Sequence, residues 1–144
     1  MNERLYENQE VVFASATHRL AKRENVSVAD LAGERWTSTV STSRAPWQAL
    51  LEAFKSKGLL PPPVALHTNS QAVRMQAIAY SDYIGVNTRH FVRQEPRKFP
   101  LIELRVKEMR VTRDLSIIAR KGAYVSPAAR RLIDILKQQA KKAP

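Results

Sequence analysis

Two helices in this chain open in the same way, and that repetition constrains its fold more than any other feature. "STSRAPWQALLEAFKSKG" carries Trp47, Leu50, Leu51 and Phe54 at i, i+3, i+4 and i+7, one apolar face of a helix. Ser43 is a candidate N-cap, Pro46 is tolerated in the first turn, and Gly58 ends the helix. "NSQAVRMQAIAYS" repeats the arrangement, with Asn69 or Ser70 as cap. Each helix follows a strand-like run, Arg35–Val40 and Val64–Thr68, and a turn rich in hydroxyls or amides. Strand, polar turn and capped helix in succession predict an α/β sheet with right-handed crossovers.

The remaining segments fit the same plan. "EVVFASA" (Glu10–Ala16) reads as a buried strand, continuous in its apolar residues. "SVADLAG" reads as a short helix in which Ser27 and Asp30 form a capping box and Gly33 is the stop. "LLPPP" is a stiff linker, "DYIGVN" a strand and "TRHFVRQ" a short helix. "LIELRV" (Leu101–Val106) alternates as a one-sided strand does, and "LSIIAR" (Leu115–Arg120) reads as a more buried one. "SPAARRLIDILKQQAKK" closes the chain as a helix. Ser126 is its cap, Pro127 its first residue, and Leu132, Ile133 and Leu136 its apolar stripe.

Composition narrows the chemistry. Cysteine is absent, which excludes disulfides, zinc–thiolate sites and thiol catalysis and fits a reducing compartment. The longest apolar stretch, "GLLPPPVAL", is too short and too broken by proline to span a membrane, and the polar, acidic "MNERLYENQE" does not read as a signal peptide. The net charge of +11 is uneven: residues 1–34 carry −2, residues 35–82 carry +3 and residues 83–144 carry +10. A basic half of this kind suits nucleic acid, an anionic ligand, an acidic partner or simply a solvated surface. A standalone nucleic-acid-binding protein is therefore the alternative reading, resting on charge alone.

Catalytic groups do not assemble along the sequence. His18, His67 and His90 lack any metal-ligand spacing and read as surface or loop residues. No nucleophile elbow, Walker loop or dinucleotide fingerprint can be built around the isolated Gly33, Gly58, Gly85 and Gly122. Asp82 reads as a turn residue. No metal or cofactor is expected, and an enzyme is the least supported class. The turns "TSTVSTS" (Thr37–Ser43) and "HTNSQ" (His67–Gln71) are better candidates. In open α/β sheets, ligands bind at the carboxyl ends of strands beside helix N-termini, where backbone N–H groups favour an anion. Such turns suggest a small carboxylate or similar anion; equally, Ser43 and Ser70 could serve only as caps.

The order of these pieces resembles a known family. "VVFASATHRLA" followed by "VSVADLAGERW" is similar to the stretch of LysR-type transcriptional regulators that usually reads V-V-V-A-x-x-x-H-P-L-A, then S-L-x-D-L-A-x-x-x-W, with Arg19 here in place of the Pro. "LLEAFKSKGLLPP", "HTNSQAVRMQAIAYSDYIGV" and "SPAARRLIDILK" resemble three later family segments in the right order, so the likeness runs from about Glu10 to Gln138. Where the family usually has G-x-G-I, this chain has "SDYIGV", which brings Asp82 and Tyr83 into a turn normally kept small.

The resemblance implies a periplasmic-binding-protein-like effector domain with two α/β subdomains and a cleft between them. It implies a cytoplasmic homo-oligomer, dimer or tetramer, that binds a small-molecule effector and reads DNA through a winged helix-turn-helix. By position, Ser15, Thr39, Ser41, Thr42, Ser43, Thr68 and Asn69 would face the cleft, and His18 would be a structural loop residue. Against the family pattern the chain reads as starting about halfway through the first subdomain, without the DNA-reading part. On this reading residues 1–34 are a remnant of the first subdomain and the crossover. Residues 35–110 are the second subdomain, and residues 111–144 are the return strand and last helix of the first.

Overall fold

A computed structural model of the chain describes residues 2–39, 44–94 and 98–141. In chain order the elements are β1 (Asn2–Ser15), a 3-10 turn (Ala29–Leu31), β2 (Arg35–Ser38), α1 (Arg44–Ser56), β3 (Val64–His67) and α2 (Gln71–Ala79). They continue with β4 (Tyr83–Thr88), α3 (Arg89–Gln94), β5 (Leu101–Leu104), β6 (Val111–Ile118) and α4 (Pro127–Ala140). The expected α/β alternation is present. The strands form a sheet in the order β3-β2-β4-β1-β5, and β6 pairs with β1. β2 lies parallel to both β3 and β4, as helical crossovers require, whereas β1 runs antiparallel to β4 and β5.

The chain divides into two compact units. Residues 9–111 form the larger and residues 1–8 with 112–144 the smaller. Residues 9–34 fall within the larger unit. The reason is packing. Val12 and Ala14 of β1 join one core with Leu20, Val26, Val28, Leu31, Trp36, Leu50, Phe54 and Ile84. Val11 and Phe13 join a second core with Met75, Ile78, Ala79, Val92 and Leu101. Successive side chains of a strand point to opposite faces, so β1 is buried from both sides. Trp36 is the hub of the first core, with its ring edge-on to Trp47 at 5.8 Å and to Phe54 at 6.4 Å.

Local signals are realised almost residue by residue. Ser27 and Asp30 make the reciprocal box: the Asp30 carboxylate accepts the Ser27 N–H at 2.9 Å and its hydroxyl at 2.8 Å. The segment it starts is a single 3-10 turn and not an α-helix. Ser70, not Asn69, caps α2, its Oγ accepting the Val73 N–H at 3.3 Å. Ser126 caps α4 through the Ala129 N–H at 3.2 Å, with Pro127 in the first position. Gly58 closes α1 at φ +67°, a conformation costly for residues with a Cβ.

His18 is not a surface histidine. It is buried in the loop after β1. Its Nδ1 accepts the Leu20 N–H at 3.2 Å, which makes Nε2 the donor to the buried Glu34 carboxylate, also at 3.2 Å. Arg19, standing where the family has Pro, forms an ion pair with the same carboxylate. The loop is thereby fixed to the residue that precedes β2.

In the smaller unit, β6 begins four residues earlier than the sequence pattern suggested, and the run read as more buried is largely exposed: Leu115 is 50 % exposed and Ile118 79 %. No residue of α4 is fully buried, and Leu132 of the expected stripe is 57 % exposed. β1 is also longer than Glu10–Ala16, reaching back to Asn2 through the polar N-terminal run.

Candidate functional site

The two turns singled out in the sequence are neighbours. β2 and β3 are adjacent and parallel, so both chains leave the sheet at the same end. The Thr68 N–H donates to the Ser38 carbonyl at 3.1 Å, which joins the turn after β2 to the turn after β3. The Thr68 hydroxyl oxygen accepts the Ser70 N–H at 3.1 Å, and Ser70 in turn caps α2. This chain of bonds holds Thr68 between a strand end and a helix N-terminus. Thr39 follows β2 and is half-buried, whereas Asn69 is exposed beside Thr68. Ser41, Thr42 and Ser43 lie outside the described residues.

Ser15 lies apart from these turns. β1 is antiparallel to β4, with Glu10 opposite Thr88 and Phe13 opposite Gly85. Ser15 therefore sits at the level where β4 begins, at the opposite end of the sheet from Thr39 and Thr68. It is buried, and its hydroxyl is taken up by Thr17 at 3.0 Å. A strand leaving a sheet in the opposite sense cannot deliver its last residue to the same end.

The residue that the sequence reading missed is Arg74. It lies in α2 on the face that packs on the sheet and is buried. Its Nε donates to Thr37 Oγ1 at 3.1 Å and its Nη2 to the Val86 carbonyl at 2.7 Å, with the guanidinium over the Phe13 ring at 5.7 Å. Thr37 passes the link on by donating to the Ile84 carbonyl at 3.2 Å. Burial pulls the guanidinium down to about 10, and the charge of buried Glu10 opposes that shift, so Arg74 remains a cation at neutral pH. It puts a fixed positive charge among β1, β2 and β4 in the body of the sheet.

Gly85 explains how Arg74 fits. A Cβ there would stand 2.9 Å from Arg74 Nη2, from Ile78 Cδ1 and from Thr37 Oγ1. The glycine of "SDYIGV" is needed for space, and its φ is not positive. Its neighbours close the other end of the strand: Asp82 pairs with Arg35, which holds its carboxyl below the ordinary value, and the Arg35 guanidinium lies 4.8 Å from the centre of the Tyr83 ring. The signal for Arg74 was present as a lone basic residue in an otherwise uncharged helix, and Gly85 was its counterpart 11 residues on.

What this end of the sheet offers is hydrogen-bonding capacity, from hydroxyls, amides and a helix N-terminus. No group of three or more His, Cys, Asp or Glu residues that could hold a metal occurs among the described residues. The geometry is that of a binding domain: a doubly covered α/β sheet with its polar turns collected at the carboxyl ends of parallel strands.

Comparison with known proteins identifies the family. The LysR substrate binding domain matches residues 2–141, and the chain belongs to that family. Among solved structures it is similar to the CcmR regulatory domain of Synechocystis PCC6803 in complex with 2-PG (24% identity, TM-score 0.81), covering 100% of this chain and 68% of that one. The effector binding domain of QuiR in complex with shikimate is similar at 19% identity and TM-score 0.74, with 99% and 66% covered. HinK, a LysR family transcriptional regulator from Pseudomonas aeruginosa, is similar at 20% identity and TM-score 0.75, with 100% and 49% covered. The chain thus spans about two thirds of the first two and about half of HinK. At these identities the likeness is one of fold, and it is the periplasmic-binding-protein-like fold of LysR effector domains. A comparison with curated proteins finds no match. No helix among the described residues is long and apolar enough to cross a membrane.

Proposed function

We propose that the chain is the effector-sensing part of a LysR-type regulator, working by binding and not by catalysis. Thr39, Thr68 and Asn69, together with Ser41, Thr42 and Ser43, serve the effector site. The effector is a small carboxylate or similar anion. The observation that carries this reading is the Thr68 N–H to Ser38 carbonyl bond, which brings two hydroxyl-bearing turns together at one end of a parallel pair. Arg74 and the N-terminus of α2 supply the electrostatic preference for an anion. The shikimate and 2-PG complexes of QuiR and CcmR agree with that ligand class. The protein acts in the cytoplasm as a dimer or tetramer, and DNA is read by a winged helix-turn-helix outside these 144 residues. The alternative of a standalone nucleic-acid-binding protein retains only the +11 charge in its favour.

Isothermal titration with a panel of small carboxylates, shikimate and 2-PG among them, tests the site. Binding of one member that weakens about tenfold or more in Thr68→Val, with an unchanged melting temperature, is the expected result. A panel member that binds equally well to Thr68→Val would move the site elsewhere.

A further inference from the structure

The larger unit has a polar cavity at the β5 edge of the sheet, lined by no residue of the β2–β3 turns. It measures about 380 Å³ and lies between α3, β5 and the segment that follows β5. Five cationic side chains line it: Arg89, Arg93, Arg105, Lys107 and Arg110. Two periodicities put them there. Arg89 and Arg93 are four apart on α3 and share its face. Arg105 and Lys107 alternate with the buried Leu104 and Val106, so the charged residues all point away from the core.

Glu103 is the acidic member of the lining, and it is already engaged. Arg89 grips it with two bonds, Nε to Oε2 at 2.8 Å and Nη2 to Oε1 at 2.5 Å, and gives a third to Gln9. This pair is neutral as a unit and stiffens one wall. Arg93, Arg105, Lys107 and Arg110 are exposed, with no ion-pair partner among the described residues apart from what a ligand would bring. Glu108 follows Lys107 in the chain but is not part of the lining.

We propose that this groove binds a small phosphate-bearing anion, as a site separate from the β2–β3 turns and independent of the effector reading. The volume suits a small molecule. Guanidinium forks match phosphate oxygens in pairs, and a lysine adds a mobile point charge. Single-stranded nucleic acid is disfavoured because no aromatic side chain lines the groove for bases to stack on.

Inorganic pyrophosphate, titrated calorimetrically into the full chain at low and raised salt, is the probe. The expected result is binding that weakens with salt and falls about tenfold or more in Arg93→Gln/Lys107→Gln, while Thr68→Val binds as the parent does. Both substituted groups are exposed, so the melting temperature should hold; Arg110→Gln provides a second, single variant should it not. Absence of pyrophosphate binding at low salt would overturn the proposal, as would parent-like binding by both groove variants. Displacement of pyrophosphate by a DNA duplex that binds more tightly would overturn it too, by making the groove a nucleic-acid surface. Loss of carboxylate binding in Thr68→Val with pyrophosphate binding intact separates the two sites.

Discussion

Helices α2 and α4 begin alike and end up in different surroundings. Both are capped by a serine hydroxyl that accepts an N–H three residues on. Both carry an apolar stripe. Yet α2 buries Met75, Ile78, Ala79 and even Arg74 against the sheet, whereas α4 leaves Leu132, Ile135 and Leu136 exposed by 40 % or more. The larger unit is held by two apolar cores. The smaller is held by the pairing of β6 with β1 and by exposed ion pairs, Lys137 with Glu3 at 2.8 Å and Arg4 with Asp114 at 2.7 Å, of a kind that contributes little. An amphipathic pattern states that a helix has an apolar face. What covers that face is a separate question.

The contrast can be broken at its strongest point first. Trp36→Ala removes the hub of the first core and should destabilise the larger unit by about 3–5 kcal/mol, read as a shift in urea midpoint. A loss below about 1 kcal/mol would mean that the core is far less tightly packed than its burial implies. Gly85→Ala should cost about 1–3 kcal/mol through overpacking against Arg74, Ile78 and Thr37. Repeating it in an Arg74→Ala background should recover at least about 0.5 kcal/mol, because the two share one space. Simple additivity in this cycle would show that Arg74 is not what the glycine accommodates.

The smaller unit should respond far less. Leu132→Ala is expected within about 0.5 kcal/mol of the parent, and amides of α4 should exchange with deuterium well before those of β1 between Glu10 and Ser15. A cost of about 2 kcal/mol or more would demonstrate that the α4 face is covered in solution. The smallest effect concerns acid. The Ser27 backbone N–H and hydroxyl hold the Asp30 carboxyl below its ordinary 3.8. A carboxyl lowered on folding contributes stability above its unfolded value, and that contribution is lost as the pH falls through the folded one. Asp30→Asn should therefore flatten the loss of stability below about pH 4 and change little at pH 7, as urea midpoints across that range would show.

The parts of this molecule that were legible in the sequence are those decided within a turn. Ser27 with Asp30, Ser70, Ser126 with Pro127, and Gly58 each act on backbone groups at most four residues away, so identity and spacing suffice to place them. The alternation of strands and helices followed from the same local signals, whereas the family likeness rested on the resemblance of whole segments such as "VVFASATHRLA" and "SPAARRLIDILK". The hydroxyl-rich turns were legible as candidates because a parallel β2–β3 pair, once inferred, has one carboxyl end.

Other features required partners far along the chain. Arg74 meets Thr37 across 37 residues, and Thr37 meets Ile84 across 47. The lone arginine of "QAVRMQAIA" is a local hint only, since helical spacing is equally compatible with a solvated one. His18 read as a loop residue but is buried, because Glu34 lies 16 residues on and turns back to meet it. The end of the sheet at which Ser15 sits depends on the direction in which β1 enters it, about which residue type and spacing say nothing.

The sequence by itself determined the order of most elements and their caps, since hydrogen bonds within a turn and the period of apolar residues are properties of adjacent positions, and its resemblance to a known family pointed to the class of domain. Only the tertiary structure decided which polar groups share an end of the sheet, which arginine is buried and which helix face is covered. Those outcomes depend on strand order, strand direction and packing partners, which no single segment encodes.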